Sequence, residues 1–395
     1  MIFSIDGSGL GSIWRGVVIA IAWSGLGLLT TCRDVPTEVV GGRVIWQLSG
    51  SSATVAPAYD QAAVYFGGYS HEMVAVDKST GQLRWRSATG VVSGGAFPFT
   101  LGFNIVLAGG LAVMGHQHVF AFDAASGAHR WTFRPADGAQ PGMGRIATDG
   151  ATIFAASPEG EVFAIDAQSG TARWSARVPG DSASAYDPVL GSGVVFVEVK
   201  RFTNPATGAL VAYDKTTGAT RWVHEFLPEV TGQYAGCVGD AALYQGTVIT
   251  SIEDGRVFAL DTATGATVWV APRIHQLPPA GGWNDLRRVS VSGTVVVVGS
   301  STGTVVGYDA ATGLEHWRAS PAGEISADLS PAATDDSSAY VNFAADLVAL
   351  DTRSGVVKWQ TGLVPGVGGE YWPKPAIDGD RLYVGGVHGF YALRR

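Results

Sequence analysis

The sequence predicts an all-β protein: an eight-bladed β-propeller of four-stranded antiparallel blades. Three observations predict it. One motif, Ala/Gly-x-Asp-x-x-Thr/Ser-Gly-x-x-x-Trp, occurs seven times. Its copies stand 42 to 48 residues apart, the length of one propeller blade. The two chain ends carry complementary halves of an eighth copy.

Composition agrees. Gly is 54 of 395 residues, about twice average usage. With 46% hydrophobic and 15% charged residues, the chain is too apolar and too weakly charged for a disordered segment. Gly, Val, Thr and Trp favour short strands joined by tight turns over a helical bundle. Lys plus Arg is 26 and Asp plus Glu 34, a net charge of -8. That balance holds no basic patch and argues against nucleic acid as a partner. Two cysteines, Cys32 and Cys237, cannot build a disulfide framework, and no histidine spacing joins them in a zinc site.

The amino terminus reads as a targeting segment. Residues 16–31 carry no charge, follow Arg15 and precede Cys32. The run falls short of the about 20 apolar residues that span a bilayer. A basic residue, an apolar stretch and a small-residue exit describe a secretory signal. Leu29-Thr30-Thr31-Cys32 resembles a bacterial lipobox, with Thr31 where Gly, Ala or Ser is usual. Residues 1–31 are therefore expected to be a signal peptide of lipoprotein type, with Cys32 lipidated. Residues 32–40 would be a linker and residues 41–395 the propeller. Arg33 after the Cys favours outer-membrane sorting in a two-membrane host. Cys237, among apolar neighbours, reads as a buried small hydrophobe.

The repeats run in order. Their Asp, Gly and Trp are Asp77, Gly81 and Trp85; Asp123, Gly127 and Trp131; Asp166, Gly170 and Trp174; and Asp214, Gly218 and Trp222. Then come Asp261, Gly265 and Trp269; Asp309, Gly313 and Trp317; and Asp351, Gly355 and Trp359. The apolar residues before each Asp form a strand. The Asp accepts N–H bonds across the turn that follows. The Gly takes a positive φ at no steric cost. The Trp closes the next strand, presents a large face to the neighbouring blade and has an N–H to donate there. These residues are expected to be structural. Gly42 to Trp46 supplies the Gly-x-x-x-Trp half alone, and Gly389 to Arg394 the preceding strand. The amino terminus should thus form the outermost strand of the last blade. Twelve tryptophans leave two outside both leader and repeats, Trp283 and Trp372.

This motif resembles the tryptophan-docking repeat of the pyrroloquinoline-quinone (PQQ) propeller superfamily. The resemblance covers nearly the whole chain after the leader. It implies the eight-bladed ring, and one of two activities. Quinoprotein alcohol dehydrogenases of the superfamily carry the quinone and a calcium ion. Outer-membrane assembly lipoproteins of the BamB type use the ring, without cofactor, as a scaffold beside the β-barrel assembly machinery. The dehydrogenases usually hold an adjacent Cys-Cys pair, absent here. Most acidic residues are expected in turns, among them Asp149, Glu253-Asp254, Asp335-Asp336 and Asp378 to Asp380. Asp181, Asp187, Asp285 and Glu370 fall in longer loops without ligand spacing. His116 and His118 lie two apart on one strand face and are not assigned a metal. The expected protein is a non-catalytic envelope scaffold with neither PQQ nor calcium, lipid-anchored in the outer membrane and facing the periplasm, with a protein partner. A propeller binding a small ligand or polysaccharide at the channel mouth is the alternative.

Partner contacts are expected on the face bearing the connections between blades. The long ones are 135–143, 228–240, 271–288 and 361–375. Trp283, Arg287, Arg288, Tyr371 and Trp372 are the candidate partner-binding residues, with Tyr234 a weaker one; Trp, Tyr and Arg anchor interfaces most often.

Overall fold

A computed structural model describes residues 43–49, 53, 55–67, 71–90, 104–135, 145–180, 183–202, 207–229, 235–237, 240–273, 286–300, 303–321, 332–343, 346–362, 373–386 and 389–395. The expectations for residues 1–42, Cys32 included, lie outside these. The unit Val35–Arg395 is described by itself.

Eight four-stranded antiparallel sheets form the eight blades. Blade 1 runs from the innermost strand outward as Ala58–Tyr59, Ala63–Gly67, Glu72–Asp77 and Leu83–Ala88. Blades 2 to 7 repeat that order along the chain. Blade 8 takes Ala376–Asp378, Arg381–Gly386 and Gly389–Arg394 from the carboxyl end and Val44–Ser49 from the amino end. Trp46 lies opposite Ala392, and Leu48 opposite Phe390. The ring therefore closes by strand pairing, which removes the open edges that invite aggregation.

The burial patterns follow from blade stacking. The two middle strands of a blade are covered on both faces, so Ala63–Gly67 is buried at every residue. The outer strand alternates, because only one side of it meets a neighbour. Alternate side chains serve different cores. Val195, Val197 and Val199 pack with blade 3, whereas Phe196 packs with blade 5. There are eight such apolar clusters, one for each pair of adjacent blades. Stability is thus a sum of nearest-neighbour interfaces.

Each turn is built as its residues dictate. Asp77 accepts the Ser79 and Thr80 N–H groups and both hydroxyls. Those donors, the Ser79 hydroxyl first, hold its carboxyl below the usual carboxylate range. Trp85 donates its indole N–H to the Ala124 carbonyl of blade 2 at 3.0 Å. The same bond links Trp46 to Lys78, Trp131 to Ala167, Trp174 to Lys215, Trp222 to Thr262, Trp269 to Ala310 and Trp317 to Thr352. The motif's small first residue also has a reason. Ala75 lies directly opposite Trp85 across the sheet, and Gly307 opposite Trp317. A Cβ on Gly307 would stand 2.2 Å from the indole. Only a small residue leaves the ring room to lie flat.

Antiparallel order gives the disc two unlike faces. One carries the Asp-to-Gly turns. The other, the loop face, carries the connections between blades and the hairpins between second and third strands. Among the described residues no helix is long and apolar enough to cross a membrane.

Candidate partner-binding face

The loop face is raised at blade 4. Its strands Ala183–Leu190, Val194–Arg201, Thr207–Asp214 and Thr220–Phe226 have seven or eight residues, where blade 5 has three to five. At about 3.3 Å per residue, the extra length lifts the rim by several ångströms. At the tip, Arg201 from the second strand pairs with Glu225 of the fourth, Nη2 to Oε1 at 3.0 Å. Phe202 and Leu227 flank that pair and are 60% and 66% exposed. Other large apolar side chains, such as Leu314 at 67%, are as exposed; Phe202 and Leu227 differ in standing on the raised rim of the loop face.

Beside this rim, two of the long connections are tied at their bases. Asp254, in the hairpin of blade 5, has a fully buried side chain. It accepts Arg256 Nε at 2.8 Å. Arg256 Nη1 reaches Glu229, from the connection after blade 4, at 3.1 Å. Arg273, from the connection after blade 5, reaches Glu229 at 3.2 Å and Asp254 at 3.6 Å. The Arg256 guanidinium also lies 5.0 Å from the Phe258 ring centre. The buried carboxylate pairs with the adjacent guanidinium groups, and the loop stems are held with it. Lys200 pairs with Glu253 across blades 4 and 5, and Glu198 accepts the Thr250 hydroxyl.

The inner rim is closed by bonds between blades. Arg145 donates its backbone N–H to Asp187 at 2.8 Å and pairs with Asp240 at 3.1 Å. Asp187 and Asp240 have φ of 40° and 60°, a conformation that Asp tolerates better than most residues. Asn104 and Ile146 exchange two hydrogen bonds. On the opposite face, a cleft of about 500 Å³ lies between blades 8 and 1, and its Lys78 pairs with Asp378 at 2.7 Å.

Several expectations change. Asp187 is not in a long loop; it sits in the innermost strand of blade 4, at a bulge between Tyr186 and Val189. Asp254 turns its hairpin, as expected, but also centres the ion network. His116 and His118 do not share a strand face. They occupy the hairpin between Leu111–Gly115 and Val119–Asp123, where the His116 N–H bonds the His118 carbonyl. The ring of His116 is buried and meets His71 instead, Nε2 to Nδ1 at 2.8 Å. The Gln117 N–H donates to His116 Nδ1, so Nε2 carries the proton and donates to His71. Burial first, then His71 and His118, push His116 down to about 4. Cys237 is buried as expected, in an isolated bridge to Ile252, and burial raises its thiol well above the usual range.

Of the candidate partner residues, Trp283, Tyr371, Trp372 and Tyr234 lie outside the described residues. Arg287 and Arg288 open the innermost strand of blade 6, Leu286–Ser292, at a register shift. Reading the sequence missed Phe202, Leu227 and the Asp254 network. An apolar Phe after Lys200-Arg201 was the one local signal.

A calcium–quinone pair needs six to eight oxygen donors at the ion. Among the described residues no three His, Cys, Asp or Glu side chains converge in that way.

Comparison with known proteins gives a family match and likenesses to solved structures and to a curated relative. A family model described as outer membrane protein assembly factor BamB matches residues 36–114, 115–276 and 253–394. The solved BamB of Moraxella catarrhalis superimposes with a TM-score of 0.66 at 18% identity, over 89% of this chain and 100% of that one. The quinohemoprotein alcohol dehydrogenase of Comamonas testosteroni gives 0.66 at 13% identity, over 89% and 76%. At such identities both likenesses concern the fold alone. By sequence, the dehydrogenase subunit of a Komagataeibacter europaeus quinone alcohol dehydrogenase is 32% identical over 125 residues, covering 27% of this chain and 16% of that protein.

Proposed function

This chain belongs to the PQQ-like propeller family described as outer membrane protein assembly factor BamB, and from that premise we propose that it is a non-catalytic cell-envelope scaffold. It binds protein partners through its loop face. One observation carries the reading: the raised rim of blade 4 presents Phe202 and Leu227 to solvent on a base fixed by paired charges. A rigid ring holding exposed anchors on one face suits docking, and binding energy concentrates in such anchors. The proposal includes a lipid at Cys32, an outer-membrane location facing the periplasm, and the β-barrel assembly machinery as partner. It includes no quinone and no calcium.

The test is crosslinking in cells from a photoreactive residue at position 202 or 227. Capture of a β-barrel assembly component is expected, and Phe202→Ser with Leu227→Ser should abolish it without lowering the melting temperature. Trp283→Ala and Trp372→Ala should weaken the same capture. Dye reduction by the purified protein with quinone and calcium, or no envelope protein captured, overturns the reading. Palmitate labelling that is lost in Cys32→Ala tests the anchor.

A further inference from the structure

The loop-face hairpins of blades 1 and 2 meet through a pair of imidazole rings. His71 closes the first hairpin and His116 opens the second. The rings stand edge to face, with centres 4.8 Å apart. Each is also fixed to its own blade. The His71 carbonyl accepts both the N–H and the hydroxyl of Thr89, at 2.9 and 2.8 Å, where the outer strand of blade 1 ends. The His116 ring is buried, and its Nδ1 accepts the Gln117 N–H at 2.8 Å. His71 has φ of 54°, a left-handed conformation in which His is commoner than most residues.

We propose that this pair is a pH-sensitive latch between the two hairpins, closed while both rings are neutral and open once either is charged. A single proton serves the contact: His116 Nε2–H donates to His71 Nδ1 at 2.8 Å. A second proton on His71 must go to Nδ1, and two N–H groups then face each other. A second proton on His116 must go to its Nδ1, and it then faces the Gln117 N–H. Each ring is therefore charged only by breaking a bond that holds the latch. The surroundings act the same way. Burial first, then His71 and His118, oppose a charge on His116, and Arg134 opposes one on His118. Glu72, beside His71, is engaged by Arg86 at 2.7 Å. Opening separates the hairpins and releases Thr89. The apolar cluster beneath, with Tyr65, Trp85, Phe120 and Phe122, is not part of the latch and keeps the two blades together. The loop face over blades 1 and 2 thus changes shape in acid while the ring stays closed. The inference does not rest on the proposed partner, because the latch is read in the protein alone. His116 has a pKa of about 4 in the closed latch against 6.5 ordinarily. From about pH 8 to about pH 5 this difference raises the open fraction about 30-fold.

Hydrogen exchange of the purified protein at those two pH values, corrected for the intrinsic rate, tests it. Protection at the Thr89 and Gln117 amides should fall about 30-fold in acid. Protection at the Gly127 amide, bonded to Asp123 on the turn face of blade 2, should not change. His71→Asn with His116→Gln keeps the donor and both acceptors without a titrating ring, and Asn suits the positive φ. This double variant should stay protected at both pH values. In the native protein, histidine nitrogen shifts should place the His116 proton on Nε2 at the higher pH, and ionisation of His116 should accompany the loss of protection at Gln117. Protection that does not fall in acid, that falls equally at Gly127, or that falls equally in the double variant overturns the proposal. So does a His116 that ionises while Gln117 stays protected.

Discussion

The indole of Trp85 lies against the Cα of Gly127 in the next blade, so closely that a Cβ there would stand 2.6 Å from Cδ2 of the ring. Gly127 also has φ of 73°. The glycine is thus required twice, by its backbone and by the ring above it. Gly246 isolates the first requirement, with φ of 85° and nothing within 4 Å of its would-be Cβ.

Gly246→Ala should therefore cost about 1 kcal/mol. Gly127→Ala should cost about 2–4 kcal/mol, because overpacking adds to the backbone strain. Urea midpoints of the two variants give the comparison. Equal losses would mean that the ring simply moves aside.

The eighth interface is built differently. Where a turn would receive Trp359, two separate segments meet instead, Gly389–Arg394 and Val44–Ser49. The Arg43 guanidinium lies 4.4 Å from the Trp359 ring centre, and the Arg394 N–H bonds the Arg43 carbonyl at 2.8 Å. Arg43→Ala should cost about 0.5–1 kcal/mol. Deleting residues 43–49 should be far worse, since it bares Gly389–Arg394 as a long apolar edge. Light scattering on refolding should report aggregation of the deletion variant only.

Asp254→Ala should destabilise by about 3–5 kcal/mol, because Arg256 is left buried beside no carboxylate of its own hairpin. Adding Arg256→Met should recover part of the loss. A double-mutant cycle in urea measures the coupling, and additive losses would show that the two groups do not share their energy.

His116 sets an acid limit. Its folded pKa, about 4, lies below its ordinary value of 6.5. Between those values the unfolded chain binds a proton that the folded one refuses. Stability is then complete above about pH 6.5 and falls as the pH drops toward 4, by up to about 3 kcal/mol from this residue. His71 and His118 both act on the His116 ring, and burial first, then Arg134, lowers His118 in the same direction. His116→Gln should flatten that part of the stability profile while leaving pH 8 unchanged in slope.

Most of the fold was legible because its determinants are local and repeated. Asp, Gly and Trp sit at fixed spacing, and each does its work within one turn or at the next blade. The ring closure was legible too, since Trp46 and Ala392 are the two halves of one motif. The motif's small first residue was legible but its reason was not, because a Trp directly opposite depends on cross-strand register.

The functional face was less legible. Trp283, Tyr371 and Trp372 in the long connections pointed to the loop face, but they lie outside the described residues. Phe202 gave one weak signal, an apolar residue after Lys200-Arg201, and Leu227 none, for their exposure comes from blade 4 being longer than its neighbours.

The sequence by itself determined the number of blades, the turn chemistry and the way the ring closes. Tertiary structure alone decided that Glu229, Asp254, Arg256 and Arg273, from three separate segments, would form one charge network around the buried Asp254. The physical reason is range: a turn bond is set by residues two or three apart, whereas the cost of burying a charge is set by whatever the folded chain brings beside it.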